Sequence, residues 1–209
     1  INSLKPLFVK PDELEYSYNY ENVFLGGSEY RYFDIKSMRY QAENIKEIDF
    51  KHPYYHVTLF PDDPKPFKPY YYTIEINGRY YVDVQEGRDK NIEADYVFVH
   101  FSMPYDVPLA EGEVYVYGAL TDWNLTEQNK MKYNFDTRRY ELTMLLKQGY
   151  YNYEYVFAKN NDTYADNTFF EGSHYETEND YILFVYHHES TSKYEKLIGL
   201  TFLNTLRDD

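Results

Sequence analysis

The sequence predicts an all-β protein built from two β-sandwich domains. Aromatic residues make up 21% of the chain, with 28 tyrosines and 14 phenylalanines, and such side chains suit pleated, half-buried strands. Short apolar or alternating runs recur between turn residues, as is typical of sandwiches. A chain of 209 residues has room for two domains of about 100 residues each. The polar run Gln85–Asp95 ends where a new strand begins, so we place the domain boundary near residue 91, between domains 1–91 and 92–209.

In the first half, strands are predicted between clusters of Gly, Pro and Asn. They are Leu14–Tyr20, Tyr30–Ile35, His56–Phe60, Tyr70–Ile76 and Tyr80–Val84. Asn77 and Gly78 separate the last two, and because both residues tolerate positive φ this pair predicts a β-hairpin. Pro61–Pro69 carries four prolines, which remove backbone donors and fix φ, so it is predicted to be an extended connector.

In the second half, the strand pattern continues to the end of the chain. Strands are predicted at Tyr96–Ser102, Val114–Tyr117, Tyr140–Leu146, Tyr150–Phe157 and Tyr181–Tyr186. Lys196–Asn204 is either a last strand or a segment that docks elsewhere. Alternation along Tyr150–Phe157 places Tyr151, Tyr153 and Tyr155 on one face and Tyr150, Asn152 and Glu154 on the other. We expect Glu154 on the solvent face of an edge strand, the alternative being burial with a raised pKa.

The charge of the chain excludes several classes of partner. Its net charge is −14, from 21 basic and 35 acidic residues, so the basic patch that nucleic acid requires is missing. Cations, basic proteins and neutral ligands such as sugars remain compatible. The sequence has no run of about 18 apolar residues, the length that a membrane-spanning helix needs, so we predict no membrane-spanning segment. The chain starts at Ile1 without a leader, so we expect a fragment or processed form whose targeting signal has been removed.

The sequence contains no recognisable catalytic or metal-binding motif. It has no cysteine, no phosphate-binding loop and no GxSxG elbow. Adjacent residues on a strand point to opposite faces, so His187, His188 and Glu189 cannot readily ligate one ion unless a bend intervenes, and we expect an exposed strand end. His174 lies in an acidic loop that we expect to be solvated. We therefore predict a non-enzymatic protein without catalytic residues, metal or cofactor. Glycoside hydrolysis by a pair of carboxylates is the alternative, but no particular pair stands out among the 35 acidic residues.

Trp123, the only tryptophan, lies on a polar turn after the strand Val114–Tyr117. Asp122 and Asn124 flank it. Sugar-binding modules stack pyranose rings on exposed Trp or Tyr and bond the hydroxyls with neighbouring polar side chains. One hypothesis is therefore a carbohydrate-binding platform. The other is a tryptophan that folds back over the end of the sandwich as a plug.

The segment "GEVYVYGALTDWNLTEQNKMKYNFDTRRYELTMLLKQGYYNYEYVF", Gly112–Phe157, is similar to the early-set immunoglobulin-like glycogen-binding module of the carbohydrate-binding family 48 and AMP-activated kinase β-subunit type. The resemblance implies that the second domain is an immunoglobulin-like sandwich of this early-set type, in which the Trp that matches Trp123 can stack on glucan. We expect both domains to be immunoglobulin-like β-sandwiches. Glu154 stands where the module has a Lys, Tyr164 stands in the loop that usually carries a second Trp, and Asn179 or Asp180 lies where the module often has an Asn. The predicted carbohydrate-binding residues are Trp123, Asp122, Asn124, Tyr151, Tyr153, Glu154, Tyr164 and Asn179.

The whole chain resembles the C-terminal half of the DUF5103 family of uncharacterised bacterial proteins. The stretches that carry this resemblance are "NVFLGGSEYRYFDIKSMRY", "EADYVFVHFSMPYDVPLAEGEVYVYGALTDW", "LLKQGYYNYEYVF" and "EGSHYETENDYILFVY". It implies a periplasmic or outer-membrane-associated protein whose members carry a signal peptide and further N-terminal β-domains. The leading functional hypothesis is a glycan-binding module of the envelope. The alternatives are a structural or protein-interaction component of an envelope or secretion assembly, and an accessory fragment of a glycoside hydrolase.

Overall fold

A computed structural model describes residues 5–20, 23–160, 162 and 164–206 and is mostly β, which confirms the predicted all-β class. The strands are β1 Phe8–Val9, β2 Leu14–Glu15, β3 Arg31–Asp34, β4 Ile45–Lys51, β5 Tyr54–Leu59, β6 Tyr80–Val82, β7 Tyr96–Pro104, β8 Gly112–Tyr117, β9 Lys132–Asn134, β10 Arg139–Lys147, β11 Gly149–Lys159, β12 Asp180–His188 and β13 Glu195–Asn204. The helices are α1 Lys90–Glu93, α2 Thr168–Glu171 and a 3-10 turn at Ala119–Thr121. None of the described helices is long and apolar enough to cross a membrane.

Two sheets form the body of the molecule. The first has the strand order β4-β5-β7-β10-β9. The second is built around β11, which pairs with β3 and β6 through its first residues and with β8 through its last. The pairings are antiparallel except between β5 and β7, which run parallel with Val57 opposite Val99.

The core lies between these two sheets. Along β7 the alternate residues Val97, Val99, Phe101 and Met103 are buried, as expected of a strand with one face on a core. Phe101 contacts Phe33 of β3 and Tyr153 of β11, with ring centroids 5.6 and 5.3 Å apart. Each such buried side chain contributes about 1.5–3 kcal/mol, so these contacts between the sheets hold a sandwich-like body together.

Hydrogen bonding crosses the boundary predicted near residue 91. The first sheet joins β4 and β5 from the first half to β7, β10 and β9 from the second, and the other sheet joins β3 and β6 to β11 and β8. The polar run Gln85–Asp95 contains α1 and carries the chain from β6 in one sheet to β7 in the other. It is the last part of the crossover Phe60–Asp95 that joins the parallel strands β5 and β7, and the sheets therefore do not divide into 1–91 and 92–209.

The hairpin predicted around Asn77 and Gly78 does not form. Both residues have positive φ, 54° and 68°, so the turn itself is present. Tyr70–Ile76 is nevertheless not a strand, because the amide of Ile76 donates to Asn152 Oδ1 at 2.6 Å while β6 pairs with β11. Leu14–Tyr20 is a strand only at Leu14–Glu15. Lys196–Asn204, left open between two interpretations, belongs to the last strand.

The connector Pro61–Pro69 lies outside the described strands, as predicted, and is tied to both sheets. The amide of Asp62 donates to Ser102 O at 2.9 Å, and that of Lys65 donates to Phe170 O at 2.7 Å. A cluster of buried charges strengthens this attachment. Arg31 donates from Nε to Glu171 Oε1 at 2.9 Å and from Nη1 to Asp62 Oδ1 at 3.0 Å.

Two tyrosine hydroxyls complete this cluster. Tyr153 and Tyr155 both donate to Asp62 Oδ2, at 2.6 and 2.8 Å. Burial, followed by the charge of Asp62, raises the pKa of both hydroxyls. Glu171 also accepts from the amide of Tyr155 at 2.9 Å. These buried charges and dipoles therefore satisfy one another, which makes their burial tolerable.

Candidate functional site

An open groove of about 740 Å³ runs along the outer face of β8, between the turn after β8 and the loop after β11. Its lining residues are Glu113, Tyr115, Tyr117, Trp123, Asn124, Leu125, Lys130, Ala158, Lys159, Asn160, Asp162, Tyr164 and Ala165. The groove therefore combines aromatic rings with amides and charged groups, the composition of a site for a polar, partly apolar ligand.

The floor of the groove follows from the alternation of β8. Val114 and Val116 point into the core and are fully buried, so the intervening Tyr115 and Tyr117 face the groove. Lys130 pairs with Tyr115 through a β-bridge, and its Nζ lies 2.8 Å from Glu113 Oε1. The hydrogen bond from Lys130 to Glu113 raises the pKa of Lys130. One end of the floor therefore carries an ion pair beside two tyrosine rings.

The turn that carries Trp123 is strained. Asp122 and Trp123 have φ values of 51° and 56°, and the left-handed region costs a non-glycine residue roughly 1–2 kcal/mol. The conformation is fixed by a hydrogen bond from the Trp123 amide to Gly118 O at 3.1 Å and by one from the Tyr117 hydroxyl to Trp123 O at 3.0 Å. Such strain persists only where surrounding contacts enforce it, and here it sets the direction of the indole.

The Trp123 ring packs against the body of the molecule on one side and faces the groove on the other. It makes edge contacts with Tyr30 and Tyr117, with centroids 6.2 and 5.4 Å away. A Cβ on Gly78 would lie 2.4 Å from the Trp123 Cη2 atom, so the indole rests directly on that glycine. The side chain keeps 41% of its surface exposed. It thus packs on the body while it presents a partly open face to the groove.

Asn129 holds the wall that bears Asn124. Asn129 is 1% exposed, and its Oδ1 accepts from the amide and the hydroxyl of Thr126 at 2.8 and 2.7 Å. Its Nδ2 donates to Val116 O and Asn124 O at 2.8 and 2.9 Å. Because every polar atom of this buried amide is bonded, the wall is held in place without a ligand.

The opposite wall is the segment after β11. Phe157 and Asp166 exchange backbone hydrogen bonds of 2.9 and 2.8 Å, which return this segment to the end of β11. The Asn160 amide donates to Glu111 O at 2.9 Å. Tyr164, 66% exposed, lines the groove together with Asn160. This wall therefore places a second aromatic ring and a second amide across from Trp123 and Asn124.

Three of the predicted site residues come together in the groove. Trp123, Asn124 and Tyr164 line it, while Asp122 lies in the same turn, exposed, without lining the groove. Tyr151 and Tyr153 do not reach the groove. Each is 2% exposed and packed in the core, because their face of β11 is the one that meets the other sheet.

Glu154 and Asn179 also lie away from the groove lining. The expectation of a solvent-facing Glu154 is wrong: β11 is a central strand, and the residue is 5% exposed. Burial raises its pKa to about 7, although the Nδ2 of Asn167, which donates to its Oε2 at 3.1 Å, acts against the shift. Asn179 instead donates to Gly26 O at 2.8 Å and anchors the base of β12.

The functional hypothesis from sequence missed Tyr115, Tyr117, Lys130 and Asn160, which line the groove. The tyrosines were detectable, because in "GEVYVYG" each valine that faces the core alternates with a tyrosine that must face outward. Lys130 and Asn160 were not detectable, since only the loop geometry brings them beside β8.

No group of three or more His, Cys, Asp or Glu in the part of the chain that the structure describes is arranged to hold a metal ion. His187 and His188 are exposed at the end of β12, and the neighbouring Glu189 pairs with Lys196 Nζ at 2.7 Å. The ring of His174 lies 5.7 Å from that of Tyr70.

Comparison with known proteins gives a structural relative. No protein-family model and no curated protein matches the chain. The chain is similar to the crystal structure of a hypothetical protein from Parabacteroides merdae ATCC 43184, with 36% sequence identity and a TM-score of 0.89. The match covers 96% of this chain and 50% of that one. The chain therefore spans about half the length of a protein with which it shares its fold.

Proposed function

We propose that the chain is a non-enzymatic module that binds a neutral glycan in the groove beside Trp123. One observation carries the proposal: a strained turn holds the single tryptophan partly exposed over a groove whose floor is Tyr115 and Tyr117. The volume of about 740 Å³ falls in the range of ordinary ligand sites.

The groups around the groove suit sugar hydroxyls. A pyranose ring stacks its apolar face on the open side of Trp123, and Tyr164 closes over it from the opposite wall. Asn124 and Asn160 supply amide donors and acceptors at the rim, as orienting groups in such sites do. The net charge of −14 favours a neutral glycan over an anionic one.

The domain type and the cellular location are part of the same proposal. The similarity of Gly112–Phe157 to the glycogen-binding module supports an immunoglobulin-like, early-set arrangement and makes glucans the first ligands to try. The resemblance of the whole chain to DUF5103 supports a place in the periplasm or at the outer membrane.

Trp123 fluorescence tests the proposal, because no other tryptophan contributes to it. We expect maltoheptaose, or another member of a panel of neutral glucans, to shift the emission at millimolar concentration. Calorimetry should show that Trp123→Ala abolishes binding, whereas Phe67→Ala, at a 98% exposed position on the connector, keeps it. An unchanged spectrum with every glycan, or undiminished binding by Trp123→Ala, would contradict the proposal.

A protein-interaction role in an envelope or secretion assembly is the second candidate function. It is favoured by the edge strand β4 of the first sheet and by the large apolar side chains exposed beside it, Phe50 at 55% and Tyr54 of β5 at 42%. Pull-down from native envelope with the full-length protein should recover a partner in fixed stoichiometry. A monodisperse protein that recovers none would count against this role.

A further inference from the structure

The hairpin β12–β13 exposes apolar side chains on both faces, but only one of them is continuous, because Thr201 and Gly199 interrupt the other. Antiparallel partners that lie directly opposite share a face of the ribbon, and three such pairs here are large and apolar: Ile182 with Phe202, Phe184 with Leu200, and Tyr186 with Leu197. Each of the six side chains is 50–60% exposed. We call these six residues the apolar face of the hairpin.

Among the described residues, two contacts that anchor the hairpin to the body lie at its base. Asn179 donates to Gly26 O, and the ring of Tyr181 lies 5.3 Å from that of Phe24 on the other face of the ribbon. Among the residues that the structure describes, β12 and β13 pair only with each other. The position of the hairpin is therefore fixed, while its apolar face is left open.

An open hairpin of this kind needs a cover. A two-stranded ribbon on its own is marginally stable in water. Six large side chains at half exposure present on the order of 600 Å² of apolar surface, at the upper limit of the patches that monomers tolerate. Covering that surface removes both the cost of exposure and the instability of the ribbon.

The area distinguishes between two kinds of cover. The patch lies at the lower end of the range for two separate proteins, which bury about 600–1,000 Å² per partner in a stable complex and must offset roughly 4–15 kcal/mol of lost freedom. A tethered domain avoids most of that cost, and contacts between domains of one chain start at about 600 Å². The net charge of −14 also opposes association of two copies. The patch fits a tethered domain better than a second copy.

The similar protein from Parabacteroides merdae carries as much polypeptide again as the part that matches this chain. The match leaves out 4% of these 209 residues, about 8, whereas the strands of the hairpin contain 9 and 10 residues. The hairpin therefore has a counterpart in that longer protein. We infer that the apolar face of the hairpin docks a further domain of the same polypeptide, which lies outside these 209 residues.

Hydrogen exchange tests this inference on the natural full-length chain beside the 209-residue chain. We expect the amides of Asp180–Asn204 to exchange at least 10-fold more slowly in the full-length chain, because a docked domain suppresses local opening. The amides of Gly149–Lys159, central in the body, serve as the internal reference and should exchange equally in both chains.

A pair of variants locates the contact. In the full-length chain, Phe184→Ser should abolish the added protection, whereas Leu183→Ser, on the opposite face and 44% exposed, should keep most of it. Unchanged exchange at Gly149–Lys159 shows that each variant has folded.

Three results would overturn the inference: equal exchange of the hairpin in both chains, a natural chain without a further domain, or protection that rises with concentration as dimers form. The inference does not depend on glycan binding, so the hairpin variants should leave the maltoheptaose titration unchanged.

Discussion

Replacing Arg31 by methionine should destabilise the protein more than any exposed charge substitution. Arg31 donates four hydrogen bonds, two to the carboxylate of Glu171, one to Asp62 Oδ1 and one to Asp63 O. Methionine fills much of the space but supplies no donor. The substitution therefore leaves Glu171, 1% exposed, without its main partner.

The contacts that remain set the size of the loss. Breaking a buried ion pair by removing one partner costs about 3–5 kcal/mol. Lys65 Nζ stays 3.4 Å from Glu171 Oε2, and Asp62 keeps the hydroxyls of Tyr153 and Tyr155, which moves the expectation to the lower end. We expect a loss of about 3 kcal/mol in the free energy of unfolding and a Tm lower by about 6–12 °C.

Urea denaturation, followed by circular dichroism and by Trp123 fluorescence, measures this loss. Lys10→Met is the control, because Lys10 pairs with Glu13 and Glu15 at the surface, where such pairs contribute about 0–1 kcal/mol. An Arg31→Met variant that lost less than about 1 kcal/mol would refute the view that this cluster holds the connector and α2 to β3.

Three further substitutions test other parts of the structure. Burial raises the pKa of Glu154 from 4.5 to about 7, so between these values the folded state keeps a proton that the unfolded state releases, and stability falls as the pH rises. The stability of Glu154→Gln should therefore match that of the wild type near pH 4 and exceed it by about 3 kcal/mol at pH 8. A difference in stability that does not depend on pH would contradict this. Gly78→Ala should lower the free energy of unfolding, measured by urea denaturation, by about 2–4 kcal/mol and shift Trp123 emission, because it places an alanine in the left-handed region and its Cβ against the indole. The control Gly199→Ala, whose Cβ would make only ordinary contacts, should be nearly neutral. Asn129→Ala should lower the free energy of unfolding by about 2–4 kcal/mol, because it leaves the buried carbonyl of Val116 without its hydrogen bond. It should also weaken glycan affinity, because Asn124 is displaced. Unchanged affinity in a destabilised variant would show that this wall does not take part in binding.

The sequence predicts a strand well where one face meets the core and the other meets solvent. In β8 the valines alternate with glutamate and tyrosine, and the structure buries the valines. In β7 the structure buries Val97, Val99, Phe101 and Met103 in the same alternation. The connector Pro61–Pro69 was equally predictable, since the missing donors of its prolines exclude a central strand.

The pairing partners were beyond the reach of local patterns. Nothing in β5 indicates that it pairs in parallel with β7 across 36 intervening residues, Phe60–Asp95. In β11 the polar Asn152 and Glu154 suggested a solvent face, yet both are buried because distant groups bond them, Ile76 to Asn152 and Asn167 to Glu154. The sequence therefore predicted the wrong environment for Glu154, one of the residues of the predicted carbohydrate site.

The central position of β11 sets the order of events during synthesis. β3 and β6 are made early, yet both hydrogen-bond to β11, so they wait for residues 149–159 to leave the ribosome. Until then Tyr32, Phe33, Tyr80 and Tyr81 stay unpaired in a growing chain rich in aromatic side chains, the condition under which nascent proteins aggregate. The first sheet can begin earlier, with the antiparallel pair β4–β5, which β7 then joins. Slow, late closure around one strand is therefore built into this architecture, and a stalled or truncated chain that ends before Gly149 should be a substrate for chaperones.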